Sequence, residues 1–369
     1  MRSRAEGWFR ELTGGAPASW WLRGLRGLAR AGSWLYGGGA YLAALPWDLG
    51  LRTPRRLPVP VVGVGNLSVG GAGKTPLVAA VVRALLDMGL PAGVLSRGYG
   101  GSASRGVRVV SVGQGPVLDA AQAGDEPVLL ARQLPVPVAV GVDRLVAGRV
   151  LLAACGPRVL VADDLFQHRR LHRDLNLLAL PLDRPPWQDA PLPRGTLREP
   201  LGALRRAQAV VLTHAGDPEQ VRRARIWLRS HWGPGPVLAC RHRLAGLDEL
   251  EGGPLPASEY AGAPVLAFCG LARPESFAAG LEELGLDVRH LEPFADHHRF
   301  TSSELGALWQ QARELNCRAL VTSQKDAVRL GPLPAEARVW VTRLELEFQG
   351  GPGALQRLLA WGLAGWEAR

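Results

Sequence analysis

Lysine is almost missing from this chain. Only Lys74 and Lys325 occur among 43 basic residues, the rest being arginine. Where positive charge alone is needed, arginine serves. The two lysines therefore mark places that call for a compact ammonium on a flexible stem, which fits between phosphates where a planar fork does not. Cysteine is scarce too: Cys155, Cys240, Cys269 and Cys317 are scattered with no C-x-x-C pair. That argues against a zinc site or a disulfide framework and fits a reducing compartment. Acidic residues number 33, leaving a formal net charge of +10, a balance that favours phosphorylated substrates, anionic lipid or nucleic acid. No nucleic-acid motif, and no aromatic–basic interleaving outside the N-terminal region, supports the last, so no nucleic-acid partner is expected. No compact apolar core followed by a small-residue cleavage site is present, so no signal peptide is expected. There is no internal repeat and no low-complexity tract.

What is present suggests about two domains: 369 residues, 47% of them hydrophobic, are enough for full cores. Residues 1–50 stand apart. The first 56 residues hold nine arginines, three acids and five of the twelve tryptophans. In "SWWLRGLRGLARAG", Trp21, Leu22, Leu25 and Leu28 share one helical face and Arg23, Arg26 and Arg30 the other, as at a membrane interface. The uncharged "AGSWLYGGGAYLAALPW" is too short and glycine-rich for a membrane span, which needs ~20 apolar residues; a helix packed over a sheet is the other reading.

Residues 51–236 read as α/β. Short apolar runs bounded by turns ("PVPVVGVGNL", "AGVLS", "PVPVAVG", "PRVLVADD", "LNLLAL", "AQAVVLT") alternate with helical segments, the pattern of a doubly wound, mostly parallel sheet. A smaller second α/β domain is expected over 237–348. The strand-like "PVLACRHRL" and "RVWVTRLELEF" cross between the halves as a two-strand linker, and residues 349–369 form a helix packing back on the first domain.

"GNLSVGGAGKTP" lies between an apolar strand and a helix, where a phosphate-binding loop belongs. Gly70, Gly71, Ala72 and Gly73 supply backbone N–H groups, Lys74 reaches the terminal phosphates and Thr75 can ligate magnesium. Ser68 stands where the general pattern has glycine. "VLVADD" resembles the strand whose terminal carboxylate, here Asp163 or Asp164, holds magnesium. Asp125 and Glu126 in "AGDEP" read equally as first-turn acids of a helix or as a catalytic base. In "ADHHRFT", His297 and His298 point apart and no third ligand is near in sequence, so a catalytic or substrate-orienting imidazole is expected rather than a metal pair. Arg194, Arg198 and Glu199 in "RGTLREP" form either a surface ion pair or a clamp on phosphate and magnesium.

Together, "VGNLSVGGAGKTP", "LSRGYGG", "AGDEPVLLA", "DDLFQHRRLHRDLNLLAL", "LREP", "FADHHRFT" and "TSQKDAVRL" resemble the tetraacyldisaccharide 4′-kinases of lipid A biosynthesis, in order and over nearly the whole chain. That family carries Ser or Thr at the place of Ser68. The resemblance implies a P-loop kinase that moves the γ-phosphate of ATP, with Mg²⁺, to the 4′-hydroxyl of a tetraacyldisaccharide 1-phosphate, giving lipid IVA. It implies a site at the cytoplasmic face of the inner membrane, with that surface and the lipid as partners and no obligate protein partner. By its pattern, Lys74 and Thr75 serve phosphates and magnesium, and Asp163, Asp164 and Glu199 surround the metal. Asp125 and His297 form an acid–base dyad that closes across the domains. Arg198 contacts phosphate, and Arg97, Tyr99, Gln167 and His168 line the substrate and phosphate region. Three positions depart from the pattern: Leu165 for glycine, Thr196 near a usual proline, and Gln324 for glutamate. The alternative of a membrane-associated GTPase or ATPase switch lacks its guanine-reading N-K-x-D, because Lys325 and Asp326 are adjacent. A P-loop ligase or a kinase of small soluble molecules fits the Trp/Arg N-terminus poorly.

Overall fold

The computed structural model describes residues 20–102, 106–250 and 252–366, with side chains from residue 24 onward. Residues 1–19 of the expected membrane-interface segment, and the side chains of Trp21, Leu22 and Arg23, lie outside the described residues. The Trp/Arg run and the uncharged stretch after it join in one helix, α1 (Trp20–Asp48). Among the described residues, no helix is long and apolar enough to cross a membrane.

From β1 onward the elements are β1 (Val61–Asn66), α2 (Lys74–Asp87), β2 (Ala92–Ser96), β3 (Arg108–Val112), α3 (Ala120–Ala123), α4 (Asp125–Gln133), β4 (Pro137–Val140), α5 (Arg144–Cys155), β5 (Val159–Ala162), β6 (Leu175–Pro181), β7 (Ala209–Thr213), α6 (Pro218–His231) and β8 (Val237–Glu249). Then follow α7 (Ala257–Tyr260), β9 (Pro264–Cys269), α8 (Pro274–Glu283), β10 (Asp287–Pro293), α9 (Ser302–Glu314), β11 (Ala319–Ser323), α10 (Gln324–Ala327), β12 (Val339–Phe348) and α11 (Gly353–Leu363). The strands form one sheet of twelve in the order β10-β9-β11-β12-β8-β7-β6-β1-β5-β2-β4-β3. Among the strands of the described residues, only β3–β4 and β8–β12 pair antiparallel.

Parallel strands with helices on both faces are buried on both sides, which is why they read as continuous apolar runs. Every residue of β1 is buried. Val62 and Val64 face one core with residues of α2, α4 and α11. Val61 faces the other, with Leu145 and Leu151 of α5. Leu355, Leu358, Leu359 and Leu363 follow helical spacing and bury one stripe of α11 in the core that also holds Leu77, Val78 and Leu85 of α2. Burial of each such leucine stabilises by ~1.5–3 kcal/mol.

β8 pairs with β7 through residues 237–239, then continues antiparallel to β12. These two long strands join β9, β10 and β11 to the rest of the sheet. Chain order reverses at β1, which lies between β5 and β6. Such a switch point opens a crevice at the carboxyl ends of the strands, where α/β proteins bind ligands.

Candidate active site

The loop after β1 ends at Gly73, whose φ of 71° caps α2, a left-handed setting that glycine adopts without strain. The first N–H groups of α2 are thus left without helical partners at the crevice, a ready anion site. Lys74 is 9% exposed. Its Nζ donates to Asn66 Oδ1 at 3.0 Å and pairs with Asp164 Oδ1 at 3.1 Å. Asn66 in turn donates through Nδ2 to the Ser68 carbonyl at 2.7 Å. The structure gives a reason why serine suits position 68. The backbone there bridges antiparallel to Leu197 and needs no positive φ. Val69 N donates to Thr196 O and Arg198 N to Leu67 O, both at 2.7 Å. That short ladder carries Arg198 to the loop.

β1 and β5 pair in register, Gly63 opposite Ala162, so the next residues, Asp163 and Asp164, emerge beside the phosphate loop. Asp163 is fully buried and neither carboxylate oxygen has a hydrogen-bond partner. Burial first, then the charge of Glu126, push its pKa up to about 7 against the pull of Lys74. Asp164 sits at φ 50°. Burial pushes its pKa up, but Lys74 and Arg198 more than offset this and hold it below the usual range. Arg198 Nη1 reaches both Asp164 oxygens at 3.0 Å. Glu199 is turned elsewhere: both its oxygens are taken by Arg206, at 2.6 and 2.8 Å, and the Arg206 guanidinium lies 4.5 Å from the Phe166 ring centre. Among the described residues, no three His, Cys, Asp or Glu side chains stand together as metal ligands. The expected trio of Asp163, Asp164 and Glu199 is therefore not gathered. The unpartnered Asp163 carboxylate is the feature that suits a cation, because a buried charge without a counter-ion is costly.

That cost has a measurable sign. A buried acid whose folded-state pKa lies above its unfolded value of 3.8 binds extra protons when folded, so its unfavourable contribution grows as pH rises from about 4 to about 7. Asp163→Asn is therefore expected to raise Tm at pH 8 in the absence of cation and nucleotide, by about 3 °C for each kcal/mol relieved, and to change it little at pH 4. A Tm gain independent of pH would count against the assignment.

Residues beyond β9 face Asp125 from the other side. The β10–α9 loop carries His297, at φ 63°, whose Nδ1 lies 3.0 Å from Asp125 Oδ2. Asp125 opens α4, and its N-cap Gly124 sits at φ 91°, where an added Cβ would stand 2.6 Å from Tyr99 O. The "SRGYGG" loop thus packs on the residue that presents Asp125, while Arg97 and Tyr99 are exposed, Tyr99 at 76%. Burial pushes the Asp125 pKa up, but hydrogen bonds from His297 and Arg329 reverse this and bring it to about 2. His298 points away, its Nε2 donating to Glu304 Oε1 at 3.0 Å and its ring packing on Phe294 and Phe300. Lys325, the second lysine, pairs with Asp296 at 2.6 Å in the loop that carries His297.

Gln167 braces the phosphate loop, its Nε2 donating to Asn66 O at 2.9 Å. His168 is largely buried with Nδ1 unpartnered. Burial, then the nearby Arg144 charge, lower its pKa to about 4. The three departures are explained locally. Leu165 is fully buried in the core beneath α5 and displaces no carboxylate. Thr196 uses the N–H that proline lacks to reach Asp189 Oδ1 at 3.0 Å, and its hydroxyl reaches the same carboxylate. Gln324 needs only an acceptor oxygen, which takes Leu344 N at 3.2 Å. Asn66, Asp189, Arg206 and Arg329 escaped the sequence reading. Asn66 and Arg329 lay within recognised motifs, "GNLSVGGAGKTP" and "TSQKDAVRL", but nothing in their neighbours' spacing signalled their partners.

The sequence profile of the family described as LpxK, tetraacyldisaccharide-1-P 4′-kinase, matches residues 26–362. The tetraacyldisaccharide 4′-kinase of Anaeromyxobacter dehalogenans strain 2CP-C is 44% identical over 329 residues, 87% of this chain and 86% of that one. The protein of the same name from Geobacter metallireducens is 42% identical over 79% of this chain and 85% of its own. A crystal structure of LpxK from Aquifex aeolicus in complex with ATP is 31% identical, with a TM-score of 0.73 over 92% of this chain and 99% of that one. The chain belongs to the tetraacyldisaccharide-1-P 4′-kinase family.

Proposed function

We propose that this protein transfers the γ-phosphate of ATP to the 4′-hydroxyl of a tetraacyldisaccharide 1-phosphate, giving lipid IVA. The observation that carries this reading is the meeting of Asp125 and His297 across the two domains, at 3.0 Å, in a chain of this family whose phosphate loop presents Lys74. Phosphoryl transfer asks the protein for alignment and positive charge more than for covalent chemistry. The α2 N-terminus and Lys74 bind the phosphates. Asp125 and His297 are placed to take the sugar proton as the hydroxyl attacks. Asp163 and the Thr75 hydroxyl would hold Mg²⁺, which when bound neutralises charge on the phosphates. Arg198 reaches both loop and carboxylate and is available to phosphate. The β8–β12 linker lets the two halves close, which would exclude water and limit ATP hydrolysis. The division at residues 50, 236 and 348 is part of this proposal. The test is to incubate the purified protein with γ-labelled ATP, Mg²⁺ and a tetraacyldisaccharide 1-phosphate. A labelled bisphosphorylated lipid is expected; label recovered only as ATP or inorganic phosphate overturns the reading.

The acceptor's chains call for an apolar surface, and α1 offers one. Leu28, Leu35 and Leu42 repeat every seven residues with exposures of 71%, 79% and 65%, next to Trp34 at 81%. The opposite side docks on the body through Ser33 Oγ to Pro191 O at 2.7 Å and Arg169 to Ala44 O at 2.9 Å. We infer that this outer face lies on the cytoplasmic surface of the inner membrane. Trp34→Glu with Leu35→Glu is expected to lower partitioning to anionic vesicles at least tenfold, since one buried leucine is worth ~1.5–3 kcal/mol and 1.4 kcal/mol is tenfold. The same pair should raise the KM for micellar acceptor and leave the KM for ATP unchanged. Unaltered co-sedimentation with vesicles would overturn the membrane assignment.

A further inference from the structure

The Asp125–His297 pair has a third member. Arg329 follows α10 in the second domain, and its side chain is 2% exposed. Two of its nitrogens converge on one oxygen of Asp125: Nε donates to Oδ2 at 2.8 Å, and Nη2 lies 2.6 Å from the same atom. Nη2 is also 2.9 Å from His297 Nδ1. Behind it, Nη1 faces Asp326 Oδ1 at 3.4 Å. Asp326 is fully buried and fixed by Gly270 N at 3.1 Å and Ser323 Oγ at 2.6 Å. The guanidinium thus runs from an anchored carboxylate in its own domain to a carboxylate in the other.

The ring nitrogen Nδ1 can serve only one of its two neighbours at a time. Arginine has no acceptor, so Nδ1 either accepts from Arg329 or donates to Asp125. When it accepts, the neutral ring carries its proton on Nε2, which then cannot take another. When it donates to Asp125, Nε2 has a free lone pair. With two N–H groups of Arg329 on Oδ2, Asp125 stands fixed beside the ring as a carboxylate. Resting on the kinase reading above, we propose that Arg329 is a positioning residue for phosphoryl transfer: it grips Asp125 across the domain boundary and holds Oδ2 against His297 Nδ1, leaving Nε2 as the atom open to the sugar proton. A single arginine would thereby link assembly of the dyad to the docking of the two domains.

The other charged groups around the pair are Asp296, 3.8 Å from His297 Nε2, Lys325 on Asp296, Asp326 behind Arg329, and Glu126 beside Asp125 in α4. All persist when Arg329 is changed, so a displaced pH profile reports Arg329 itself. A cation beside a carboxylate lowers its pKa, and beside an imidazole opposes a second positive charge. Loss of Arg329 therefore makes the dyad easier to protonate, whichever member receives the proton.

The experiment compares wild type, Arg329→Gln, Arg329→Lys, Asp125→Asn and His297→Gln. It measures kcat against pH at saturating ATP and acceptor, the KM for ATP, and Tm. Arg329→Gln should lower kcat about a hundredfold, in the range of a lost proton-transfer partner, and leave the KM for ATP unchanged. Its acid limb should move to higher pH by about one unit or more. Arg329→Lys restores the charge without the two-donor fork. It should lower kcat about tenfold, less than the loss of a proton-transfer partner because the charge is kept, with the acid limb near its wild-type place. A purely structural role would lower Tm and leave the acid limb where it was; that result, or a folded Arg329→Gln within threefold of wild type, overturns the proposal. If the glutamine variant does not fold, the lysine variant decides, and kcat equal to wild type there overturns it. Loss in Asp125→Asn and His297→Gln without loss at Arg329 sinks this inference alone. Full activity in Asp125→Asn and His297→Gln sinks the dyad reading on which it rests.

Discussion

Lys74→Ala is expected to remove kinase activity and leave the fold intact. Lys74 is one of only two lysines in a chain that otherwise uses arginine. Its ammonium sits between Asn66 Oδ1 at 3.0 Å and Asp164 Oδ1 at 3.1 Å. Truncation leaves Asp164 still paired with Arg198 at 3.0 Å, and Asp163, which loses the pull of Lys74, can take up a proton instead of standing charged, so the fold should persist. The loss falls on catalysis, where one preorganised cation or donor on a transferring phosphoryl group is worth roughly 10²–10³ in kcat. Lys74→Arg should fare nearly as badly. A planar fork is wider than an ammonium, and the position is 9% exposed, which leaves it no room to swing aside. The measurement is kcat for acceptor phosphorylation beside a thermal melt. Turnover within a few-fold of wild type in either variant would count heavily against the phosphate-loop assignment.

How much of this was readable in the sequence depends on the range of the interaction. β1, α2 and β5 were legible because each is a local pattern: apolar runs bounded by glycine, then a helix opening at a fixed offset. β8 and β12 were legible as two strand-like runs. The divergence of neighbouring side chains spoke against a metal pair at His297 and His298, the resemblance alone singled out His297, and the structure sends His298 to Glu304. The identity of Glu199's partner was not legible. Arg206 is seven residues away across a turn, and only the folded loop brings its guanidinium onto both carboxylate oxygens. The brace on the phosphate loop was hidden for the same reason, since it joins Ser68 to Leu197, two segments with no shared periodicity. Arg329 was the hardest case: a buried arginine paired 204 residues away with Asp125 leaves no trace in composition or spacing. Motif resemblance flagged its surroundings without assigning it a partner.

Asp125 and His297 are expected to behave as one unit, and a double-mutant cycle on kcat at saturating ATP shows whether they do. Asp125 opens α4 and His297 lies 172 residues on in the β10–α9 loop, yet Nδ1 and Oδ2 are 3.0 Å apart. At the start of α4, Asp125 also gains from the positive end of the helix. Burial opposes its charge, and the hydrogen bonds from His297 and Arg329 restore it, holding its pKa near 2. Asp125 is thus a carboxylate throughout the working range and on its own a weak base. An imidazole is intrinsically a stronger base than a carboxylate, so each residue supplies what the other lacks: a proton acceptor of useful strength, and the negative charge that stabilises the acceptor once protonated. Removing either should then cost most of the benefit, with single losses of ~10²–10⁴ in kcat and little change in the KM for ATP, whose site lies at the phosphate loop. The double variant should be little worse than the worse single, as for residues that act together. If the two losses multiply instead, the residues act independently, and His297 is better read as a group that orients the acceptor sugar, with the proton leaving by another route.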